Sequence, residues 1–251
     1  VEEILRNING LTRLVYICSP NNPTGTYTTI KELYRLDSEL PKNVILMIDA
    51  AYSEFVFKKN YDCGIKSLFN PKGRVVVTHT LSKAYGLAGL RIGWAVAPDK
   101  VMAAVSKIIM PFNTNKSGLR AAEASIRDQK YLRKCTKKIR ETRLRFVKAL
   151  LEIGLKVVPS DTNFVLIRFE DGYCKAKSLD MKLKSANVFG CLVSDDPNAY
   201  RISIGTDEDM NLVIQLIKEW AKKMAKEPFG NPKDSLFVPD KHRVLKNFPE
   251  S

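Results

Sequence analysis

The 251-residue chain carries 41 Lys and Arg against 27 Asp and Glu, a formal charge of +14, with 45% hydrophobic and 27% charged residues. That usage is globular and excludes a disordered, collagenous or disulfide-scaffold chain, and at about 150 residues per domain the length allows one large or two modest domains. The positive balance fits nucleic acid, an anionic surface or a phosphorylated small molecule as partner, and charge by itself does not choose among them.

The pattern begins with a short apolar run, Arg13 to Cys18, a Pro/Asn/Gly turn, and helical spacing from Thr28 to Leu40. Asn43 to Asp49 reads as a buried strand, Ser53 to Lys72 as irregular and polar, Arg74 to Thr80 as a Val-rich strand and Ile92 to Ala97 as a fourth. Short continuous apolar strands alternating with helices predict an α/β sheet covered on both faces. Helices follow from Pro98 to about Met110 and from Ser117 to Arg127.

From Gln129 to Ile153 the apolar residues Leu132, Cys135, Ile139, Phe146 and Leu150 recur near a period of 3.6, which predicts one long amphipathic helix. Its remaining positions hold Lys130, Arg133, Lys134, Lys137, Lys138, Arg140, Arg143, Arg145 and Lys148. With no aromatic platform interleaved, that basic face reads as solvated surface rather than a nucleic-acid contact. Strands at Leu155–Val158, Asn163–Phe169, Val188–Val193 and Tyr200–Ile204, with helices near Tyr173–Ala186 and Asp207–Ala225, predict a smaller α+β unit. The expected division is residues 1–130, 131–226 with the long helix included, and an extended tail at 227–251 that holds Pro228, Pro232, Pro239 and Pro249.

Cys18, Cys63, Cys135, Cys174 and Cys191 are scattered and odd in number, the pattern of reduced thiols in a cytoplasmic protein. His79 and His242 are the only histidines and there is no Cys-x-x-Cys, so no metal site is expected. No apolar run reaches the 18 or so residues of a membrane span. The chain opens on Val1 and a strand pattern starts almost at once, which reads as a piece of something longer.

Phosphate-loop, nucleophile-elbow and His-Glu-x-x-His motifs are absent. Four other segments carry chemistry. Ser19-Pro20-Asn21-Asn22-Pro23-Thr24-Gly25 alone is an ordinary turn. In Met47-Ile48-Asp49-Ala50-Ala51-Tyr52 an acid ends a buried strand, where parallel sheets place ligands and where a capping carboxylate is equally ordinary. Thr80-Leu81-Ser82-Lys83-Ala84-Tyr85-Gly86-Leu87-Ala88-Gly89-Leu90-Arg91 fences a lysine with small residues, a setting for Schiff-base chemistry, and brings Ser82 and Arg91 within reach of one phosphate. Arg201 lies in the apolar strand Tyr200–Ile204, where it needs an anion or a structural salt bridge.

In this order the four segments resemble the fold type I, pyridoxal phosphate-dependent aminotransferases of the aspartate aminotransferase superfamily. Thr80 to Gly89 is similar to the class II lysine signature, and the histidinol-phosphate aminotransferases are the nearest match within the family. The resemblance implies a three-layer α/β sandwich with a mostly parallel sheet and a smaller α+β C-terminal domain. It implies pyridoxal 5'-phosphate held by Asn22, Asp49, Tyr52, Thr80, Ser82, Lys83 and Arg91. Lys83 would form the Schiff base, Asp49 would face the pyridine nitrogen, and Asn22 and Tyr52 would bond the ring's 3-oxygen, so that Lys83, Asp49 and Tyr52 are the expected catalytic residues. Ser82 and Arg91, with Thr80, would bind the cofactor phosphate and Arg201 the substrate carboxylate. The implied activity is amino transfer between an amino acid or amino-alcohol phosphate and 2-oxoglutarate in histidine biosynthesis by a homodimer, with no membrane or nucleic acid involved. A threonine-phosphate decarboxylase and a truncated remnant without turnover are the alternatives. Ala50 stands where such proteins usually have Glu, and the resemblance covers only their later two-thirds.

Overall fold

The computed structural model describes residues 1–169 and 173–226, so the tail expected at 227–251 lies outside the described residues. After a short helix α1 (Glu2–Arg6), the chain runs through β1 (Leu14–Cys18), α2 (Ile30–Glu39), β2 (Ile45–Asp49), β3 (Val75–Thr80) and β4 (Gly93–Val96). These strands form one sheet in the order β1-β2-β3-β4; the first three are parallel and β4 runs antiparallel to β3. The mostly parallel α/β sheet expected from the alternating pattern is present.

Burial alternates along β1 and β2. Val15, Ile17, Leu46 and Ile48 join Val75 and Val77 in one cluster with Leu33 and Leu36 of α2, which shield that face from water. On the other face the edge strand β1 leaves Leu14 and Tyr16 52% and 53% exposed, while Ile45 and Met47 of β2 are half-buried and Val76 of β3 is buried. α2 is started by a reciprocal cap: Thr29 Oγ1 accepts from the Glu32 amide, and the Glu32 carboxylate accepts from the Thr29 amide at 2.8 Å.

Three helices follow, α3 (Asp99–Ser106), α4 (Lys116–Arg127) and α5 (Gln129–Glu152). The pattern predicts α3 through Met110, but the helix stops at Ser106. Pro111 disfavours helical backbone at the residue before it, and Phe112 beyond it takes a positive φ of 58°. α5 is one continuous helix, as its period indicates, with Asp128 accepting from the Tyr131 amide at its start.

One residue assigned to the basic face of α5 is placed differently. Arg143 is 2% exposed; it pairs with Asp161 at 3.2 Å and donates to the Thr162 carbonyl. It lies on the inward stripe between Ile139 and Phe146, where a guanidinium is tolerated because a carboxylate and a carbonyl meet it. Lys138 and Arg145 reach Asp207 at the start of the last helix instead of facing only water.

The second sheet is built from β5 (Lys156–Val158), β6 (Phe164–Arg168), β7 (Cys191–Val193) and β8 (Asp196–Ser203), antiparallel in the order β5-β6-β8-β7. α6 (Tyr173–Lys184) and α7 (Asp207–Lys226) complete this half. Its core joins Phe146 and Leu150 of α5, Val165 and Ile167 of β6, Leu179 and Leu183 of α6, and Ile217 and Trp220 of α7. Each such side chain contributes roughly 1.5–3 kcal/mol when fully buried.

Candidate active site

The parallel strands end together. Cys18 pairs in register with Asp49, and Asp49 with Thr78, so the turns leaving β1, β2 and β3 meet at one edge, the position where such sheets bind ligands.

The turn after β1 is held internally by Asn21, whose amide donates to the Thr26 carbonyl at 2.7 Å and whose carbonyl accepts from Gly25 at 2.7 Å. Gly25 has φ +78°, and a Cβ there would stand 2.3 Å from Ser160 Oγ, so the position excludes any side chain twice over. Its carbonyl also accepts from the Asp161 amide at 2.8 Å, fastening the turn to the loop before β6. Asn22 is thereby brought to β8, where Arg201 Nη1 donates to its Oδ1 at 2.6 Å.

Asp49 is half-buried at the end of β2. Its Oδ1 accepts from the Ala51 amide at 3.0 Å and its Oδ2 from the Tyr16 hydroxyl at 2.6 Å. That hydrogen bond, then burial, pushes the Tyr16 phenol far above its ordinary pKa, because ionising it would place a second negative charge against the carboxylate. Burial likewise pushes the neighbouring Cys18 thiol up, with Asp49 adding to the effect.

Tyr52 is 5% exposed and packs edge-on against Phe164 at 5.2 Å between centroids. Lys83 Nζ lies 5.6 Å from the centroid of the Tyr52 ring, and the Arg201 guanidinium lies 5.1 Å from that of Phe164. Burial raises the Tyr52 phenol pKa and Arg201 opposes the rise. Phe164 therefore spaces the lysine and tyrosine of the first half from the arginine of the second.

Beyond β3, Leu81 is buried and anchors the turn through its amide, which donates to the Ile92 carbonyl at 3.0 Å, while Lys83 is exposed with its Nζ toward the Tyr52 ring. Gly86, at φ +70°, closes the turn by donating to the Lys83 carbonyl at 3.0 Å. Ser82 donates its amide to Thr80 Oγ1 at 3.1 Å, which turns the Thr80 hydroxyl toward its own loop. Arg91 takes a left-handed backbone at φ 56° and points Nη1 at the Ala88 carbonyl at 2.8 Å, within its own turn. The structure thus brings Asn22, Tyr52, Lys83 and Arg201 together through Phe164, while Arg91 is turned into its own loop.

A cavity of about 240 Å³ opens beside this cluster, lined by Asn22, Pro23, Cys191, Ser194, Asp195 and Arg201 among others. Arg201 Nε is buried there without a partner. Arg201 lines the cavity, and a guanidinium there is a cation suited to an anion's oxygens. Sequence reading missed Tyr16 and Phe164. Tyr16 could have been found from the strand period of two, which puts it on the same face as Cys18; Phe164 carried no local signal.

Comparison with known proteins places the chain in a family. The family model for aminotransferase class I and II matches residues 1–217. Histidinol-phosphate aminotransferase of Rhodopseudomonas palustris (strain BisB5) is 39% identical over 223 residues, a stretch that covers 88% of this chain and 61% of that protein. The crystal structure of histidinol-phosphate aminotransferase from Sinorhizobium meliloti in complex with pyridoxal-5'-phosphate superposes with a TM-score of 0.78 at 31% identity, covering 84% of this chain and 58% of that one. L-threonine-O-3-phosphate decarboxylase from Porphyromonas gingivalis gives 0.73 at 26% identity, covering 86% and 67%. The chain spans about three-fifths of the curated relative it matches. A strand-end site built from both sheets and a family match over residues 1–217 agree: the chain belongs to the class I and II aminotransferases.

Proposed function

We propose that this chain forms the later part of a pyridoxal phosphate-dependent aminotransferase that moves an amino group between an amino-alcohol phosphate of the histidinol phosphate kind and 2-oxoglutarate. The observation that carries the reading is the single cluster in which Lys83 Nζ lies 5.6 Å from the Tyr52 ring while Arg201, across Phe164, keeps a buried nitrogen without a partner.

The residues fit the cofactor. Pyridoxal phosphate, when bound, supplies an aldehyde for amines to condense with and a protonated ring that withdraws electrons. Asp49 is a carboxylate braced on both oxygens, suited to accept a hydrogen bond from a protonated pyridine nitrogen. Asn22 and Tyr52 offer an amide and a phenol to the ring's 3-oxygen, and Thr80, Ser82 and Arg91 provide hydroxyls and a guanidinium for the phosphate. Arg91 leaves the Ala88 carbonyl to do so. Lys83 serves as the amine and as the base that takes and returns the proton at the substrate Cα. Arg201 holds the substrate carboxylate by charge-assisted hydrogen bonds and so fixes which Cα bond faces Lys83. The assembly is read as a homodimer in the cytoplasm, in keeping with the free thiols of Cys18, Cys63, Cys135 and Cys191.

Reduction with borohydride in the presence of pyridoxal phosphate tests the reading. The expected result is a pyridoxyl group on Lys83, absent from Lys83→Ala; an unlabelled Lys83 favours a remnant without turnover. The likeness to the threonine-phosphate decarboxylase supports a second reading. Carbon dioxide release from an amino-acid phosphate, without amino transfer, would decide for it.

A further inference from the structure

Behind the site lies a polar cluster that none of the assigned roles uses. His79 on β3 and Glu54 in the 3-10 turn Ser53–Phe55 approach to 3.5 Å between Nδ1 and Oε1, with side chains only 7% and 14% exposed. Ser53 Oγ is 3.4 Å from the same Nδ1. The imidazole stacks flat on Trp94 of β4, centroids 4.3 Å apart and planes 6° from parallel. Glu54 Oε2 and His79 Nε2 are both buried without a hydrogen-bond partner. An arrangement this poorly satisfied is a costly way to hold a fold together, since two apolar residues would fill the space more cheaply. What it does supply is a fixed relation between two segments. Glu54 follows Asp49 and Tyr52 by a few residues, and His79 precedes Thr80, Ser82 and Lys83 on the neighbouring strand.

We propose that Glu54 and His79 are positioning residues: their buried pair locks the turn after β2 onto the end of β3 and so sets the lysine-bearing loop against the aspartate and tyrosine. The role rests on the cofactor reading above, because the locked segments carry that site. Burial pushes the imidazole pKa down, but the Cys63 thiol and the Glu54 carboxylate outweigh it and raise it to about 9. Besides these two groups, Ser53 and Trp94 face the ring, and Tyr61 and Tyr85 feel the Glu54 charge. With the folded value raised above the ordinary 6.5, the stability that protonation of His79 contributes is complete below about pH 6.5 and is lost as pH rises through about 9.

Three measurements test the proposal. Protonated imidazole on an indole face quenches it, so Trp94 fluorescence should brighten with a midpoint near pH 9, and His79→Gln or Trp94→Phe should abolish the change; a flat response in the unmodified chain overturns the charged pair. Hydrogen exchange should speed up in the peptides spanning residues 50–56 and 80–84 in both His79→Gln and Glu54→Gln, with His79→Arg restoring protection. Unchanged exchange there, or a rise spread over the whole chain in Glu54→Gln as well as His79→Gln, overturns the locking role. Pyridoxal phosphate uptake should weaken by about tenfold in each single variant and no further in the double, the mark of one shared interaction. Equal uptake in all forms sinks the positioning role. A chain that takes up no cofactor yet shows the localised exchange sinks the cofactor reading instead.

Discussion

Arg201 Nη1 donates to Asn22 Oδ1 at 2.6 Å, joining side chains 179 residues apart and closing one wall of the site across the two sheets. The contact holds the guanidinium in place, and on the proposed reading that orients it for a substrate carboxylate. Arg201→Ala should weaken binding of 2-oxo acids by about 10–100-fold, the equivalent of a charge-assisted hydrogen bond worth roughly 1.5–3 kcal/mol. Arg201→Lys should recover little, because an ammonium cannot reproduce the planar fork. Titration of a 2-oxo acid into the cofactor-loaded protein checks both, and equal affinity in Arg201→Ala would remove Arg201 from the substrate site.

The short Tyr16–Asp49 hydrogen bond makes a prediction that needs no cofactor. Asp49→Asn removes the negative charge that raises the Tyr16 phenol, so one tyrosine should return toward the ordinary value of about 10. Ultraviolet difference titration of Asp49→Asn against the parent, with Tyr16→Phe as the assignment control, measures it.

Gly25 should tolerate nothing larger. Alanine there combines a left-handed backbone, disfavoured by roughly 1–2 kcal/mol, with a Cβ 2.3 Å from Ser160 Oγ and 2.6 Å from Ser160 Cβ. Denaturant midpoints should fall for Gly25→Ala, and Ser160→Ala should rescue the loss only in part, since its Cβ remains.

Arg143 separates buried from surface charge on α5. Arg143→Leu strands Asp161 and the Thr162 carbonyl, and removal of one partner from a buried pair costs about 3–5 kcal/mol. Lys134→Ala, on the exposed side of the same helix, should move stability by no more than about 0.5 kcal/mol. Urea unfolding of the two variants decides whether Arg143 belongs with the core.

Asp207 predicts an acid limb of stability. Hydrogen bonds from Lys138 and Thr142, with the charges of Lys138 and Arg145, hold its pKa down to about 2 against an ordinary 3.8. A depressed value means its contribution is complete above about pH 3.8 and is lost as pH falls through about 2. Melting temperature should fall over that window in the parent more steeply than in Asp207→Asn.

Much of this protein was legible before any coordinates. Period and propensity placed β1, β2, β3 and the whole of α5, because the strands are short apolar runs and the helix repeats its apolar residues near 3.6. Residue chemistry singled out Asp49, Lys83 and Arg201, because an acid at a strand end, a lysine among small residues and an arginine in an apolar strand each need a reason to be there, whereas Asn22 and Tyr52 were marked only by the family resemblance. Tertiary structure alone decided who meets whom. It buried Arg143, made Phe164 the spacer between Tyr52 and Arg201, bonded Tyr16 to Asp49, stacked His79 on Trp94 and turned Arg91 toward Ala88. These contacts join residues far apart in the chain, or depend on which rotamer a long side chain adopts. A linear pattern records which face a residue takes, whereas the partner on that face is chosen only when the sheets pack.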